Sequence, residues 1–240
     1  MRFATFSGPP SSGKTSVILR TVSEMRKKSA RICVLKFDCL ATDDGRLYRE
    51  NGVDCAVGLA GSLCPDHYFV SNIDDCFDWG TRNGYDLMVS ESAGLCNRCS
   101  PHIQGCLSIC VIDSLMGIGA PKKIGPMLKM ADIVVITKGD IVSQAEREIF
   151  ALKVRQANPR GIVMHINGIT GQGAYRLAAL LQQAGEPDTL KGAKLRISMP
   201  SALCSYCLGE TRIGKEKQKG NVRGMDLDQA VTHHEKHEDT

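Results

Sequence analysis

The chain has 240 residues, 30 basic side chains against 26 acidic ones for a net charge of +4, and 42% apolar residues. That length accommodates one large domain and a short appendage. The small, scattered charge gives no stripe for nucleic acid, and no apolar run is long enough to span a bilayer. The expected location is the cytoplasm, where the eleven cysteines are expected as core residues or metal ligands, not disulfides.

In chain order, Phe3-Ala4-Thr5-Phe6 reads as a strand, followed at once by Gly8-Pro9-Pro10-Ser11-Ser12-Gly13-Lys14-Thr15. The octet fits G-x-x-x-x-G-K-[ST], and Ser16 to Val22 reads as a helix opening. Strand, loop and helix in that order are what a phosphate-binding loop requires. Gly8 and Gly13 let the backbone curl so that N–H groups around Ser11, Ser12 and Ser16 face phosphate oxygens. Lys14 neutralises the β- and γ-phosphates, and the Thr15 hydroxyl takes one position on Mg²⁺.

Further strands are expected at Ile32–Phe37, Leu87–Val89, Ile109–Ile112, Ile133–Ile136 and Gly161–Met164. Their near-continuous apolar character suits a parallel sheet covered on both faces. Helices are expected at Val17–Lys28, Lys122–Met130, Ser143–Ala157 and Ala174–Ala184. The alternation predicts a doubly wound, mostly parallel α/β sheet of the P-loop NTPase kind over residues 1–190, with ligand sites at the carboxyl ends of its strands. Composition shifts near Pro187, so residues 191–240 are expected as a Cys-containing, partly flexible tail, clamped by a strand over Leu195–Met199. His233, His234 and His237 near its end form either a weak nickel reservoir or a solvated terminus.

Asp38 and Glu91 end two of the expected strands. Carboxylates there can hold Mg²⁺ or orient the attacking water, which with Lys14 gives the expected catalytic set; Asp38 and Thr15 are the expected Mg²⁺ ligands. Thr137-Lys138-Gly139-Asp140 follows another strand. Asp140 can accept both N–H donors of a guanine ring while the Lys138 stem lies on the base, so GTP is expected over ATP.

These motifs, taken with Cys64-Pro65-Asp66-His67, Glu91-Ser92-Ala93-Gly94, Val111-Ile112-Asp113 and Asn167-Gly168-Ile169-Thr170-Gly171-Gln172-Gly173, resemble the metallochaperone GTPases of urease-accessory and hydrogenase-maturation type, which deliver nickel. The resemblance spans about residues 1 to 185. It implies GTP hydrolysis, a homodimer driven by GTP, a client metalloenzyme, and nickel or zinc on a Cys/His pair at the dimer interface. Cys64 is the matching thiolate, and the histidine comes one residue late, at His67. Pro9 and Pro10 stand where the nitrogenase iron protein branch carries a second lysine.

Two pairs, Cys96-Asn97-Arg98-Cys99 and Cys204-Ser205-Tyr206-Cys207, are not typical of that family. Together their four thiolates can hold one tetrahedral zinc or nickel ion or a [4Fe–4S] cluster. Incidental loop cysteines, a redox-active pair, or a zinc staple fixing the tail are the other readings. Cys33 is expected in the core, Cys110 and Cys106 there too, with Cys106 also open as a ligand. The expected activity is a nucleoside triphosphatase that matures a metalloenzyme; the alternative is a nucleotide-gated redox or regulatory protein with a permanent iron–sulfur cluster.

Overall fold

The computed structural model describes residues 1–26, 30–197 and 204–227. Seven strands form one sheet: β1 (Arg2–Ser7), β2 (Ile32–Asp38), β3 (Asp54–Leu59), β4 (Leu87–Glu91), β5 (Leu107–Asp113), β6 (Ile133–Thr137) and β7 (Ile162–His165). Their spatial order is β3-β2-β4-β1-β5-β6-β7, and every adjacent pair is parallel. The doubly wound α/β fold expected from the sequence is the one adopted.

Among the described residues seven α-helices accompany it: α1 (Lys14–Arg26), α2 (Asp44–Glu50), α3 (Pro65–Arg82), α4 (Ala120–Lys123), α5 (Pro126–Lys129), α6 (Gln144–Ala157) and α7 (Ala174–Gln182). At the start of α6, the Ser143 hydroxyl accepts from the Glu146 N–H while the Glu146 carboxylate accepts from the Ser143 N–H, a reciprocal cap of about 1 kcal/mol. The single helix expected over Lys122–Met130 is instead the short pair α4 and α5. Gly125 between them takes φ 68°, and Pro126 has no N–H to continue the ladder. The expected strand Leu195–Met199 is not part of the sheet. Leu195 forms an isolated antiparallel bridge with Ile103, and Lys194 one with Arg212; Ser198, Met199 and the His233–His237 cluster lie outside the described residues.

On one face of the sheet, Phe6, Val34, Val89 and Val111 pack against Val17, Ile18 and Val22 of α1 and Leu177 and Leu181 of α7. On the other, Phe3, Leu35, Phe37 and Met88 meet Phe69, Ile73 and Phe77 of α3, with Phe37 edge-on to Phe69 at 5.1 Å. Truncating one of these phenylalanines to alanine costs about 3–5 kcal/mol. Cys33, Cys55, Cys76, Cys106 and Cys110 are buried within these apolar clusters. They behave as small hydrophobes, and Cys106 is thereby removed from the candidate ligands.

Residues 204–227 fold back along α3 as a strap. The Gly214 N–H donates to the Val70 carbonyl at 2.8 Å. The Asn72 carboxamide donates to the Arg223 carbonyl at 2.9 Å and accepts from the Met225 N–H at 2.8 Å. Ile213 is buried in the α3 core. Among the described residues no helix is long and apolar enough to cross a membrane. Because all strands run the same way, Gly8, Asp38, Glu91, Asp113 and Thr137 leave or end theirs along one edge, where ligands bind in such sheets.

Candidate nucleotide site and thiol cavity

The loop Gly8–Thr15 leaves β1 and turns into α1. A Cβ at Gly8, where φ is 140°, would collide with the Val111 carbonyl, so the turn requires glycine. The buried Lys14 ammonium donates to the carbonyls of Gly8 and Pro9, each at 2.9 Å. Burial pulls its pKa down to about 8, against the opposing charge of Glu91. Two residues at the end of β6 brace the loop: the Thr137 hydroxyl donates to the Ser12 carbonyl at 2.7 Å, and the Lys138 ammonium, just beyond the strand, to the Ser11 carbonyl at 2.7 Å. Thr137 thus ties the loop to the segment Thr137–Asp140 through its hydroxyl.

Ser16 and Asp140 are exposed. Asp140 faces a cavity with His165, Asn167 and Gln172. The loop beginning at Asn167 is held on α1 by the Arg20 guanidinium, which donates to the carbonyls of Gly168 and Ile169.

Glu91 is 1% exposed and is the centre of a charged cluster. Its Oε1 accepts from the Thr15 hydroxyl and the Lys36 ammonium, both at 2.9 Å, and its Oε2 from the Tyr48 hydroxyl at 2.6 Å. Lys36 also lies 2.6 Å from Asp44 and 3.6 Å from Asp38. The register pairs Lys36 with Glu91 across β2 and β4, so both side chains emerge on one face of the sheet. Burial disfavours the Lys36 charge, but Glu91 and the hydrogen bonds to Asp44 and Glu91 outweigh it and raise its pKa. Burial likewise opposes ionisation of Asp44, and Lys36 overrides it, lowering that pKa. The sequence reading named Asp38 and Glu91 but missed Lys36, Asp44 and Tyr48. The available signal was Lys36 itself, a lone charge between Leu35 and Phe37 in an apolar strand.

From Glu91 the chain runs through Gly94, where φ is 75° and a Cβ would strike the Gly8 carbonyl. This segment therefore rests on the phosphate loop before reaching the turn Cys96–Cys99. One ligand atom from each of Asp66, Cys96 and Cys99 falls within 4.8 Å of the others. A neighbouring cavity is lined by Cys64, Asp66, His67, Cys99, Cys204 and Cys207, among others. Cys64 precedes Pro65 at the start of α3, and the turn Cys204–Cys207 opens the strap. The structure thus places all six metal-ligating candidates, Cys64, His67, Cys96, Cys99, Cys204 and Cys207, in one neighbourhood. Cys204 and Cys207 line the cavity without joining the closest trio. Burial, with the Asp66 charge second, raises the thiol of Cys99 and moves that of Cys64 up to about 11; burial alone pushes Asp66 up to about 6. Asp66 stood within the Cys64–His67 motif and was not named as a ligand.

A family model described as the CobW/HypB/UreG nucleotide-binding domain matches residues 3–165. The chain belongs to this family. An uncharacterized protein of Methanocaldococcus jannaschii is 42% identical over 226 residues, covering 94% of this chain and 97% of that one. Urease accessory protein UreG 2 of a Bradyrhizobium species is 27% identical over 194 residues, covering 73% of this chain and 87% of that one. The crystal structure of HypB from Helicobacter pylori in complex with nickel shares the fold, with a TM-score of 0.60 at 20% identity over 76% of this chain and 86% of that one.

Within the CobW/HypB/UreG framework, the matched region contains the phosphate loop, the Glu91 cluster, Cys64, His67 and the Cys96–Cys99 turn. The strap lies beyond it. The match to the archaeal relative is too long to stop at residue 190, so that relative has a counterpart to at least part of the strap.

Proposed function

We propose that this chain is a GTP-hydrolysing metallochaperone or maturation factor, in which nucleotide turnover governs a metal held by cysteine and passed to a client metalloenzyme. The observation that carries this reading is the segment from Ser92 to Cys99, which rests on the phosphate loop at Gly94 and brings Cys96 and Cys99 beside Asp66. A rearrangement at the phosphates therefore reaches the thiols through a few residues of chain.

In this reading Lys14 exchanges its two carbonyl partners for the β- and γ-phosphates, which the loop N–H groups cradle. Thr15 and Asp38 are the residues that would hold Mg²⁺, whose charge offsets that of the phosphates; a hydroxyl and carboxylates are the hard oxygen donors it takes. Glu91, fixed by Thr15, Lys36 and Tyr48, orients water. Asp140 reads the guanine edge and Lys138 covers the base. The metal is cargo, nickel or zinc by the softness of the thiolates; a fold neighbour crystallised with nickel supports that choice. A cytoplasmic homodimer belongs to the same reading. It is supported by a groove of about 400 Å³ beside the loop, lined by Pro10, Leu95 and Ile118, the latter two exposed.

Calorimetry with GTP, ATP and XTP tests the base assignment. GTP is expected to bind at least about tenfold tighter than ATP, because the unmatched Asp140 carboxylate penalises adenine. Asp140→Asn is expected to shift preference from GTP to XTP. Tighter binding of ATP by the unmodified protein would overturn the assignment.

A further inference from the structure

The strap is the part of the molecule that the nucleotide chemistry leaves unused. It lays Tyr206 against His67, ring centroids 6.2 Å apart, and His67 is only 3% exposed. Leaving a buried polar group unpaired costs about 1–3 kcal/mol, yet neither ring nitrogen of His67 has a hydrogen-bond partner. The Asn221 backbone lies near the ring but makes no well-formed hydrogen bond to either nitrogen. A buried imidazole with no well-formed hydrogen bond on either nitrogen is suited to ligate a metal.

His67 lines the cavity shared with Cys64, Cys99, Cys204 and Cys207, whose volume is about 30 Å³. That is space for a single ion with little beside it, since one water already needs about 10–15 Å³ by the same measure. The two C-x-x-C turns both reach it, one through Cys99 after the phosphate-loop segment and one through Cys204 and Cys207 of the strap.

We propose that one soft divalent ion binds in this cavity within a single protomer, with His67 as its imidazole ligand, thiolates from Cys64, Cys99 and the Cys204–Cys207 turn around it, and the strap as the clasp that closes the site. This rests on the metal-handling reading above and departs from a site shared across a two-fold axis. A tetrahedral ion needs four donors, and one chain lines the cavity with Cys64, His67, Cys99, Cys204 and Cys207; only Cys99 of these stands in the trio within 4.8 Å, so binding has to draw the others inward. The strap also covers His67, so a second copy could reach that imidazole only after the strap lifts. Release of the ion then runs through opening of the strap turn, not through separation of a dimer.

Anaerobic titration of the full chain with Co²⁺, and with Zn²⁺ in competition, tests this while light scattering follows the oligomeric state. The expected result is one Co²⁺ per chain on a monomer, with thiolate-to-cobalt charge-transfer absorption and tetrahedral ligand-field bands. His67→Ala, and separately Cys204→Ser with Cys207→Ser, should each weaken binding by at least about tenfold with the far-ultraviolet spectrum retained; His67→Leu serves where His67→Ala fails to fold. Half an equivalent per chain accompanied by dimerisation would overturn the clasped site and leave metal handling standing. Unchanged affinity and bands in the His67 variant, or iron with labile sulfide in protein purified without oxygen, would overturn it in the same way. Failure to bind either ion would overturn both readings.

Discussion

Beneath the phosphate loop, His102 is fully buried with Nδ1 2.8 Å from the Thr5 hydroxyl and Nε2 3.1 Å from the Ser7 hydroxyl and 3.0 Å from the Met127 carbonyl. Beneath the strap, His67 is nearly as buried and has no partner on either nitrogen. The carboxylate of Glu91 belongs with His102, since three donors from three elements fix it and leave about one acceptor position open. Around His102 and Glu91 the protein completes its own polar networks, and such networks hold one arrangement; close by, only the short hydroxyls of Ser12 and Ser92, beside the loop that would meet phosphate, are left without a partner. On the thiol side it leaves buried polar atoms open, which is tolerable where a ligand supplies the missing bonds. The same residue type is thus fully bonded in one region and left open in the other, as the proposed metal site requires.

The sharpest way to break that comparison is at Glu91. Glu91→Ala leaves the buried Lys36 with Asp44 as its close partner and strands the Tyr48 hydroxyl. The expected loss is about 3–5 kcal/mol, the cost of removing one member of a buried ion pair, read by denaturant unfolding. Adding Lys36→Met removes the orphaned charge, so the double variant should be more stable than Glu91→Ala alone, with a coupling above about 1 kcal/mol. A loss below about 1 kcal/mol for Glu91→Ala would show that the cluster is not a rigid element of the scaffold.

How much of this was legible in the sequence divides along the same line. The octet Gly8–Thr15, the strand-end acids Asp38 and Glu91, and Thr137–Asp140 are local patterns, and the alternation of apolar runs was enough for the doubly wound sheet. Lys36, Asp44 and Tyr48 were missed because their meaning depends on register: only the pairing of β2 with β4 sets Lys36 beside Glu91. β3 was missed because Asp54, Gly58 and two small residues weaken its apolar signal, and α3 because its polar positions hide the stripe that faces Phe3 and Phe37. The convergence of two C-x-x-C turns more than a hundred residues apart was beyond any spacing rule. It depends on the strap returning along α3, which the polar, Gly-punctuated stretch from Arg212 to Gly224 does not announce.

A smaller effect separates the two histidines by pH. Burial holds the His102 pKa at about 4 against an ordinary value of 6.5, so the native state prefers the neutral ring. Below pH 6.5 the unfolded chain binds a proton that the native chain refuses, and stability falls until the pH reaches the native pKa. At about 1.4 kcal/mol per unit, His102 should account for about 2 kcal/mol of the stability lost between pH 7 and pH 5. His102→Gln removes this component, so its unfolding free energy should change less over that interval than that of the unmodified protein. An equal change in both would mean that the ring is not held neutral by its surroundings.

The smallest predicted effect is the most diagnostic for the open side of the comparison. His67→Leu replaces two unpaired ring nitrogens by an apolar side chain that fits beside Tyr206 and Val70. In chelator-treated protein this should be neutral or stabilising by about 1 kcal/mol, because no hydrogen bond is lost and an unpaired group is removed. For a chain of this size that corresponds to a rise in Tm of about 2–4 °C. A histidine kept for packing would behave in the opposite way and lose about 2 kcal/mol or more. Adding Zn²⁺ should then reverse the order. The ion stabilises whichever folded protein binds it by mass action, so the unmodified chain should gain Tm with Zn²⁺ while His67→Leu gains much less. A His67→Leu variant destabilised without metal, yet equally responsive to Zn²⁺, would place His67 with His102 among the scaffold groups.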